Sequence, residues 1–199
     1  MPVLRTAALV GATAAAGAMV ASCASNGPIE PRPTAAPELV LEDYFQGRTY
    51  AVGLFEGRSG KVNAKFYVEI DGSWDGRTLT LDERFLYDEA DGSRRADRRI
   101  WDFEKTATGY TGTAGDVIGS ASVTTSGDAA AFGYLVDLKT SDDSSIELRF
   151  FDRLVLFDGG VLMNRAQVSK FGVRVGSVTV TFFQNEPEGW PAFGTDTGS

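Results

Sequence analysis

The chain has 199 residues, 43% of them apolar and 23% charged, a globular balance that excludes a disordered chain and a multi-span membrane protein. A formal charge of −8 and a pI near 4.6 exclude the basic footprint of a nucleic-acid binder, and the composition lacks a polybasic patch for anionic lipid heads. Histidine is absent, which removes the commonest general base, the commonest metal ligand and any Ser-His-Asp triad.

The chain opens like a secretory signal. Arg5 supplies a positive start, and Ala7 to Val20 is an uncharged run of mostly Ala, Gly and Val. That run, about 14 residues, is too short to span a bilayer core that needs roughly 20. Val20-Ala21-Ser22-Cys23 resembles the lipobox of bacterial lipoproteins. The resemblance implies that residues 1–22 are removed as a signal peptide, that the Cys23 thiol takes a diacylglyceryl group and that the new amino group is acylated. Two or more acyl chains hold stably in a bilayer, at about 0.8 kcal/mol per buried methylene, where one chain does not. Ala24 stands where Asp would favour the inner membrane, so the expected address is the outer membrane, facing the periplasm. Cys23 is the only cysteine, so neither a disulfide nor a cysteine nucleophile remains. Loss of residues 1–22 removes Arg5 and no acid, taking the charge from −8 to −9.

Residues 23–37 read as a lipidated, proline-rich tether, with Pro28, Pro31, Pro33 and Pro37 among small residues. Over Glu38–Gln46 the spacing of Leu39, Leu41, Tyr44 and Phe45 predicts a short amphipathic helix ended by Gly47. The period then changes to two. Tyr50, Val52 and Leu54 alternate, as do Val62, Ala64, Phe66, Val68 and Ile70. Asp71-Gly72, Asp75-Gly76 and Asp91-Gly92 read as turns. Leu79, Leu81, Phe85 and Tyr87 form the next face, followed by Arg99, Trp101 and Phe103. Tyr110 to Thr124 reads as strand, and its glycine-rich 112–119 as bulges or close backbone contacts. That stretch lacks the Lys-Ser/Thr ending of a phosphate loop and the following helix of a dinucleotide turn. Phe132 to Leu138, Ile146 to Leu156, Val161 to Ser169 and Val173 to Phe183 complete the strands, and Asn185 to Ser199 reads as a flexible tail.

These elements predict an all-β domain over 38–184. A closed barrel or a sandwich both fit. Long strands joined in order by tight turns favour a single antiparallel up-and-down β-barrel of about 8–10 strands, with the short N-terminal helix as lid or plug. Leu86, Ile100, Phe151, Val155 and Phe157 make the second face of several strands apolar as well, which implies a helix, a partner or a second sheet against them.

Parity singles out polar residues on the inner face. Glu83 shares a face with Leu81 and Phe85, and Arg99 shares one with Trp101. A hairpin around Asp91-Gly92 sets Glu83 opposite Arg99 or Trp101. A buried carboxylate is tolerable when paired with such a cation. Either this is a polar anchor in a ligand cavity, for an acidic or amphipathic head group, or it is a structural pair at the barrel end. Asp152 and Asn164 sit similarly, lining the same cavity or facing water. Asp82-Glu83 is a tempting glycosidase pair, but neighbours on a strand point to opposite faces.

From Leu41 to Phe183 the chain resembles an uncharacterised family of proteobacterial lipoproteins, a domain-of-unknown-function family. The matching residues are Phe45-x-Gly47, Gly57-Arg58-Ser59-Gly60-Lys61, Leu81-x-Glu83-x-Phe85-x-Tyr87, Arg99-x-Trp101, Tyr110-x-Gly112-x-Ala114 through Gly119, Asn164-Arg165 and Lys170-Phe171-Gly172. The resemblance implies a calycin-like fold, similar to lipocalins and fatty-acid-binding barrels, and brings no activity with it. The candidate ligand-binding residues are Glu83, Arg99, Trp101, Asp116, Asp152, Asn164, Arg165 and Lys170. The expected function is binding a lipid-like or other apolar or amphipathic small molecule, without cofactor, metal or nucleic acid. A structural or interaction protein of the envelope, making contact through Trp190 and Phe193 or through the second apolar strand face, is the alternative. A His-independent enzyme built on Glu83 or Asp116 is a third.

Overall fold

The computed structural model describes residues 37–89, 92–139 and 144–193. The expected signal peptide, Cys23 and the tether up to residue 36 lie outside the described residues. One helical turn, α1 (Leu41–Phe45), leads into β1 (Gly47–Gly57), β2 (Val62–Trp74), β3 (Thr78–Asp88), β4 (Arg94–Thr106) and β5 (Gly109–Ala114). There follow β6 (Ala121–Ser126), β7 (Ala129–Lys139), β8 (Ser145–Leu156), β9 (Leu162–Lys170) and β10 (Val173–Phe183). Each strand pairs with its sequence neighbours, and β1 pairs antiparallel with β10. The result is a closed ten-stranded antiparallel up-and-down barrel. Because β5 and β6 are short, the open-end halves of β4 (before Trp101) and β7 (after Gly133) have, among the described residues, no ladder between them beyond the Val117–Val136 bridge.

Alternation buries Phe66, Val68 and Ile70 of β2, Leu79 and Leu81 of β3, and Trp101 and Phe103 of β4, as the pattern predicts. On β1 the expectation fails. Tyr50, Val52 and Leu54 point outward, while Thr49 and Ala51 are buried and Gly53 follows them inside. The reason is room: a Cβ on Gly53 would lie 2.3 Å from the ring of Phe66, its register partner on β2. Small residues on one strand admit a large ring from the next. Outside, Trp190 meets Tyr50 and Tyr67 edge-on at 5.2 and 5.5 Å, and Phe193 stacks on Trp190. The segment from Asn185 to Phe193, expected as a loose tail, therefore lies against the wall, and residues 194–199 lie outside the described residues. Leu86 is buried on the same outer face, paired across to Tyr67, whereas Ile100 and Phe157 stay exposed.

Two further local expectations change. Asp75-Gly76 makes a turn, with the Asp75 carboxylate accepting hydrogen bonds from the Arg77 and Thr78 amides at 2.8 and 2.7 Å. Asp71-Gly72 does not turn; it runs through β2. Tyr110 to Thr124 is two strands, because residues 115–120 leave the sheet. Val117 bridges Val136, and the amide of Asp137 donates to the Asp116 carbonyl at 2.9 Å.

The plug is shorter than the helix expected over Glu38–Gln46. Val40 is extended at the N-cap and no side chain caps the turn. So short a helix depends on tertiary contacts. The Leu39 amide donates to the Gly127 carbonyl at 2.8 Å, and the Tyr44 hydroxyl donates to the Gly160 carbonyl at 2.9 Å. Lys105 and the Tyr110 hydroxyl both donate to the Glu42 carboxylate. Burial pushes the Glu42 carboxyl up, but these two bonds outweigh it and hold it below the ordinary value. All these partners belong to one end of the barrel, so α1 seals that end. The other end is framed by the connections β1–β2, β3–β4, β5–β6, β7–β8 and β9–β10.

Candidate ligand site in the barrel lumen

Side chains just fill the interior of an eight-stranded barrel. Ten strands widen it, and here the lumen holds a cavity of about 1290 Å³. Leu41 and Phe45 of α1 form its floor. Much of its wall is aromatic. Trp101 stacks on Phe103 at 5.1 Å, Tyr134 on Phe150 at 5.3 Å and Phe85 on Tyr87 at 5.7 Å. Such a surface gains free energy by removing apolar groups of a ligand from water.

Polar groups interrupt this wall. β3 and β4 pair so that Glu83 faces Arg99 and Leu81 faces Trp101, one of the two registers that parity allows. Arg99 Nε donates to Glu83 at 2.9 Å, and Arg99 Nη1 lies 3.6 Å from Asp116, which the loop after β5 brings over the lumen. The guanidinium also sits 5.2 Å from the Trp101 ring and 5.5 Å from Phe85. Burial raises the pKa of Glu83 above the ordinary value, opposed by the charge of Arg99. For Arg99, burial acts downward, but the attraction of Glu83, with Tyr134 and Asp116, outweighs it and the net shift is upward. Outside, Asp82 takes a two-pronged bond from Arg98 at 2.8 and 2.7 Å, so Asp82 and Glu83 serve opposite faces.

A second group lies across the lumen. Asn164 Nδ2 donates to Asp152 Oδ1 at 2.6 Å, and both residues are buried. Burial pushes the Asp152 carboxyl up to about 6, against the favourable hydrogen bonding of Asn164 and the charge of Arg99. The folded state thus holds this proton more tightly than the unfolded chain does. The carboxyl's contribution to stability is therefore greatest below the unfolded value of about 4 and declines as pH rises through 6. Asp152→Asn removes the ionisation. Urea unfolding is expected to find it more stable than the parent by roughly 2–3 kcal/mol at pH 8, with the advantage gone by pH 4. An unchanged difference across that range would contradict a buried, titrating Asp152.

Three acceptor atoms in this region receive no hydrogen bond from the protein: Asp116 Oδ1, Asp152 Oδ2 and Asn164 Oδ1, all buried. A buried acceptor left unsatisfied costs about 1–3 kcal/mol. Arg99, in contrast, is already engaged by Glu83 and Asp116. Among the described residues no three His, Cys, Asp or Glu side chains are grouped to hold a metal ion.

The lumen thus brings together Glu83, Arg99, Trp101, Asp116, Asp152 and Asn164. It does not include Arg165 or Lys170. Alternation puts Arg165 on the outer face of β9, exposed, beside the inward Asn164. Lys170 ends β9 at the open rim, with Nζ 5.5 Å from the ring centre of Phe171. Tyr134 was readable only as one more apolar position on β7. Glu42, Lys105 and Tyr110, which secure the floor, carry no motif that parity could find.

A family profile matches residues 17–184, the whole barrel and the stretch before it. The chain belongs to the family described as "Protein of unknown function (DUF3833)". Among solved structures, the S-type phycobiliprotein lyase CPES from Guillardia theta is similar, with a TM-score of 0.46 and 8% identity, over 74% of this chain and 92% of that one. No curated protein matches the chain.

Proposed function

We propose that this protein is a non-catalytic binding barrel for an amphipathic small molecule, with an apolar body and a head that donates hydrogen bonds. The observation that carries the reading is a cavity of about 1290 Å³, aromatic-walled, containing buried acceptor oxygens that nothing in the protein satisfies. A hydroxyl or ammonium head complements those acceptors. An acidic head meets Glu83, Asp116 and Asp152, with Arg99 already committed. The same commitment of Glu83 to Arg99 argues against its serving as a catalytic acid or base. The outer aromatic contact envisaged for a protein partner is occupied internally, since Trp190 rests on Tyr50 and Tyr67. We further propose that acyl chains on Cys23 hold the barrel at the periplasmic face of the outer membrane.

Native mass spectrometry of the membrane-extracted chain is expected to detect a co-purifying small molecule. Displacement of bound 1-aminoanthracene then reads the head. Dodecylamine and dodecanol are expected to compete at least about tenfold better than dodecanoate at pH 8, from hydrogen bonds to charged or buried acceptors. If none of the three competes, the binding role fails; if dodecanoate competes best, the donor head fails. The mass of the mature N-terminal peptide tests the anchor, which an unmodified Cys23 still joined to Ser22 rules out.

A further inference from the structure

We propose that the rim formed by the β1–β2 and β9–β10 hairpins docks on an anionic lipid surface. The chemistry of this rim is independent of what the lumen holds.

Phe171 is 91% exposed and, among the described residues, the one non-glycine at positive φ, 50°. With Gly172 at 78° it makes a two-residue turn between Lys170 and Val173, which pair in register. A turn of that hand asks for Asn or Gly at the Phe171 position. Folding gains nothing from a benzyl group there, held both strained and in water. Val173, beside it, is 55% exposed, and Val62 on the neighbouring hairpin is 45% exposed. The two hairpins are adjacent because β1 pairs with β10, with Gly57 opposite Gly176.

Cations bracket this apolar tip. Lys170 and Arg174 flank Phe171 and Val173, and Arg58 and Lys61 flank the β1–β2 turn. Among the described residues none of these four forms an ion pair. The nearest acids in the pairing register are Glu56, just inside Gly57, Glu147, two residues before the Arg149 that pairs with Ser169, and Asp88, which Arg94 engages at 3.0 Å. An otherwise acidic protein therefore carries one local cationic patch around a projecting aromatic residue. That combination matches a bilayer with anionic headgroups: the cations meet phosphates while the ring enters the acyl boundary. Composition hides the patch, since its charges come from hairpins far apart in sequence.

The test uses the full chain carrying Cys23→Ser, which takes no acyl group. It is floated with vesicles of phosphatidylcholine alone and of equimolar phosphatidylcholine and phosphatidylglycerol. Partitioning should favour the anionic vesicles. Phe171→Ala is expected to lower it about tenfold, from the transfer of one aromatic side chain. The combined change Arg58→Gln, Lys61→Gln, Lys170→Gln and Arg174→Gln should abolish the anionic preference, at roughly fivefold per charge. Met163→Ala, exposed on the wall near the plugged end, should leave partitioning unchanged. The N-terminal segment is common to every variant, and Phe171→Trp gives a direct readout of the rim itself. Its added fluorescence should be quenched by brominated acyl chains in anionic vesicles only. No quenching, equal effects of Met163→Ala and Phe171→Ala, or a Phe171-dependent dimer without vesicle binding would each overturn the proposal.

Discussion

Arg99→Met is expected to lower stability by about 3–5 kcal/mol at pH 8, the cost of leaving a buried charge without its partner. The substitution keeps most of the apolar contact with Trp101 and Phe85 and removes only the guanidinium. Glu83 then has no cation within reach, and Asp116 loses the same neighbour. Protonation relieves the penalty. Burial has already raised the Glu83 pKa, and losing Arg99 raises it further. The folded form of the variant therefore holds the Glu83 proton more tightly than the unfolded chain does. Its deficit should be small below the unfolded glutamate value of about 4.3 and should grow as pH rises through the folded one. Adding Glu83→Leu should recover most of the loss, because replacing both members of a buried pair with apolar groups is often neutral or better. Urea unfolding of the two single variants and the double variant at pH 5 and pH 8 measures this coupling. A loss below 1 kcal/mol at pH 8, unmoved by Glu83→Leu, would mean the pair stands in water at an open mouth.

How much of this arrangement could be read beforehand depended on whether one face of a strand was plainly more apolar than the other. On β2, β3, β4 and β8 it was, and the inward residues follow the two-residue period. The same period, combined with a turn at Asp91-Gly92, narrowed the partner of Glu83 to Arg99 or Trp101. On β1 both faces carry apolar side chains, so periodicity favoured the bulkier set. The deciding fact was long-range: Phe66 needs the space that Ala51 and Gly53 leave, and Trp190 covers Tyr50. No local pattern contains that information. Arg165 and Lys170 show the opposite error. They were singled out by a motif, and a motif does not say which face a residue takes; alternation from Asn164 would have put Arg165 outside.

The floor was legible in outline and not in mechanism. A short amphipathic turn before the first strand predicts a plug, and α1 is one. What seats it is Gly72, which read as half of a turn signal but lies inside β2, against the last residue of α1. A glycine within a strand marks either a bulge or a close backbone approach, and only the tertiary neighbour tells them apart. Glu42 was invisible for a similar reason. Its partners Lys105 and Tyr110 come from the ends of β4 and β5, which closure of the barrel brings to the plug.

Gly72→Ala is accordingly expected to be among the most damaging single-methyl additions in the chain. A Cβ at Gly72 would stand 1.8 Å from the carbonyl oxygen of Phe45 and 3.2 Å from Leu81 Cδ2. The first neighbour is backbone, so no rotamer change relieves the contact. Either α1 lifts off its seat or β2 shifts against β1, where Gly72 pairs with Gly47. Overpacking of this kind costs about 3 kcal/mol. If α1 lifts, Phe45 leaves its edge-on contact with Phe182 at 5.5 Å, the floor opens and the lumen floods. Bound 1-aminoanthracene should then lose fluorescence, as it should in Phe45→Ala, where the floor loses its ring directly. Gly115→Ala is the control. No atom lies within 4 Å of its Cβ position and its φ is not positive, so its stability should stay within about 0.5 kcal/mol of the parent. Should Gly72→Ala match Gly115→Ala in both unfolding and probe fluorescence, the plug does not sit backbone against backbone, and the sealed end of the barrel must be held by the Leu39, Tyr44 and Glu42 hydrogen bonds instead.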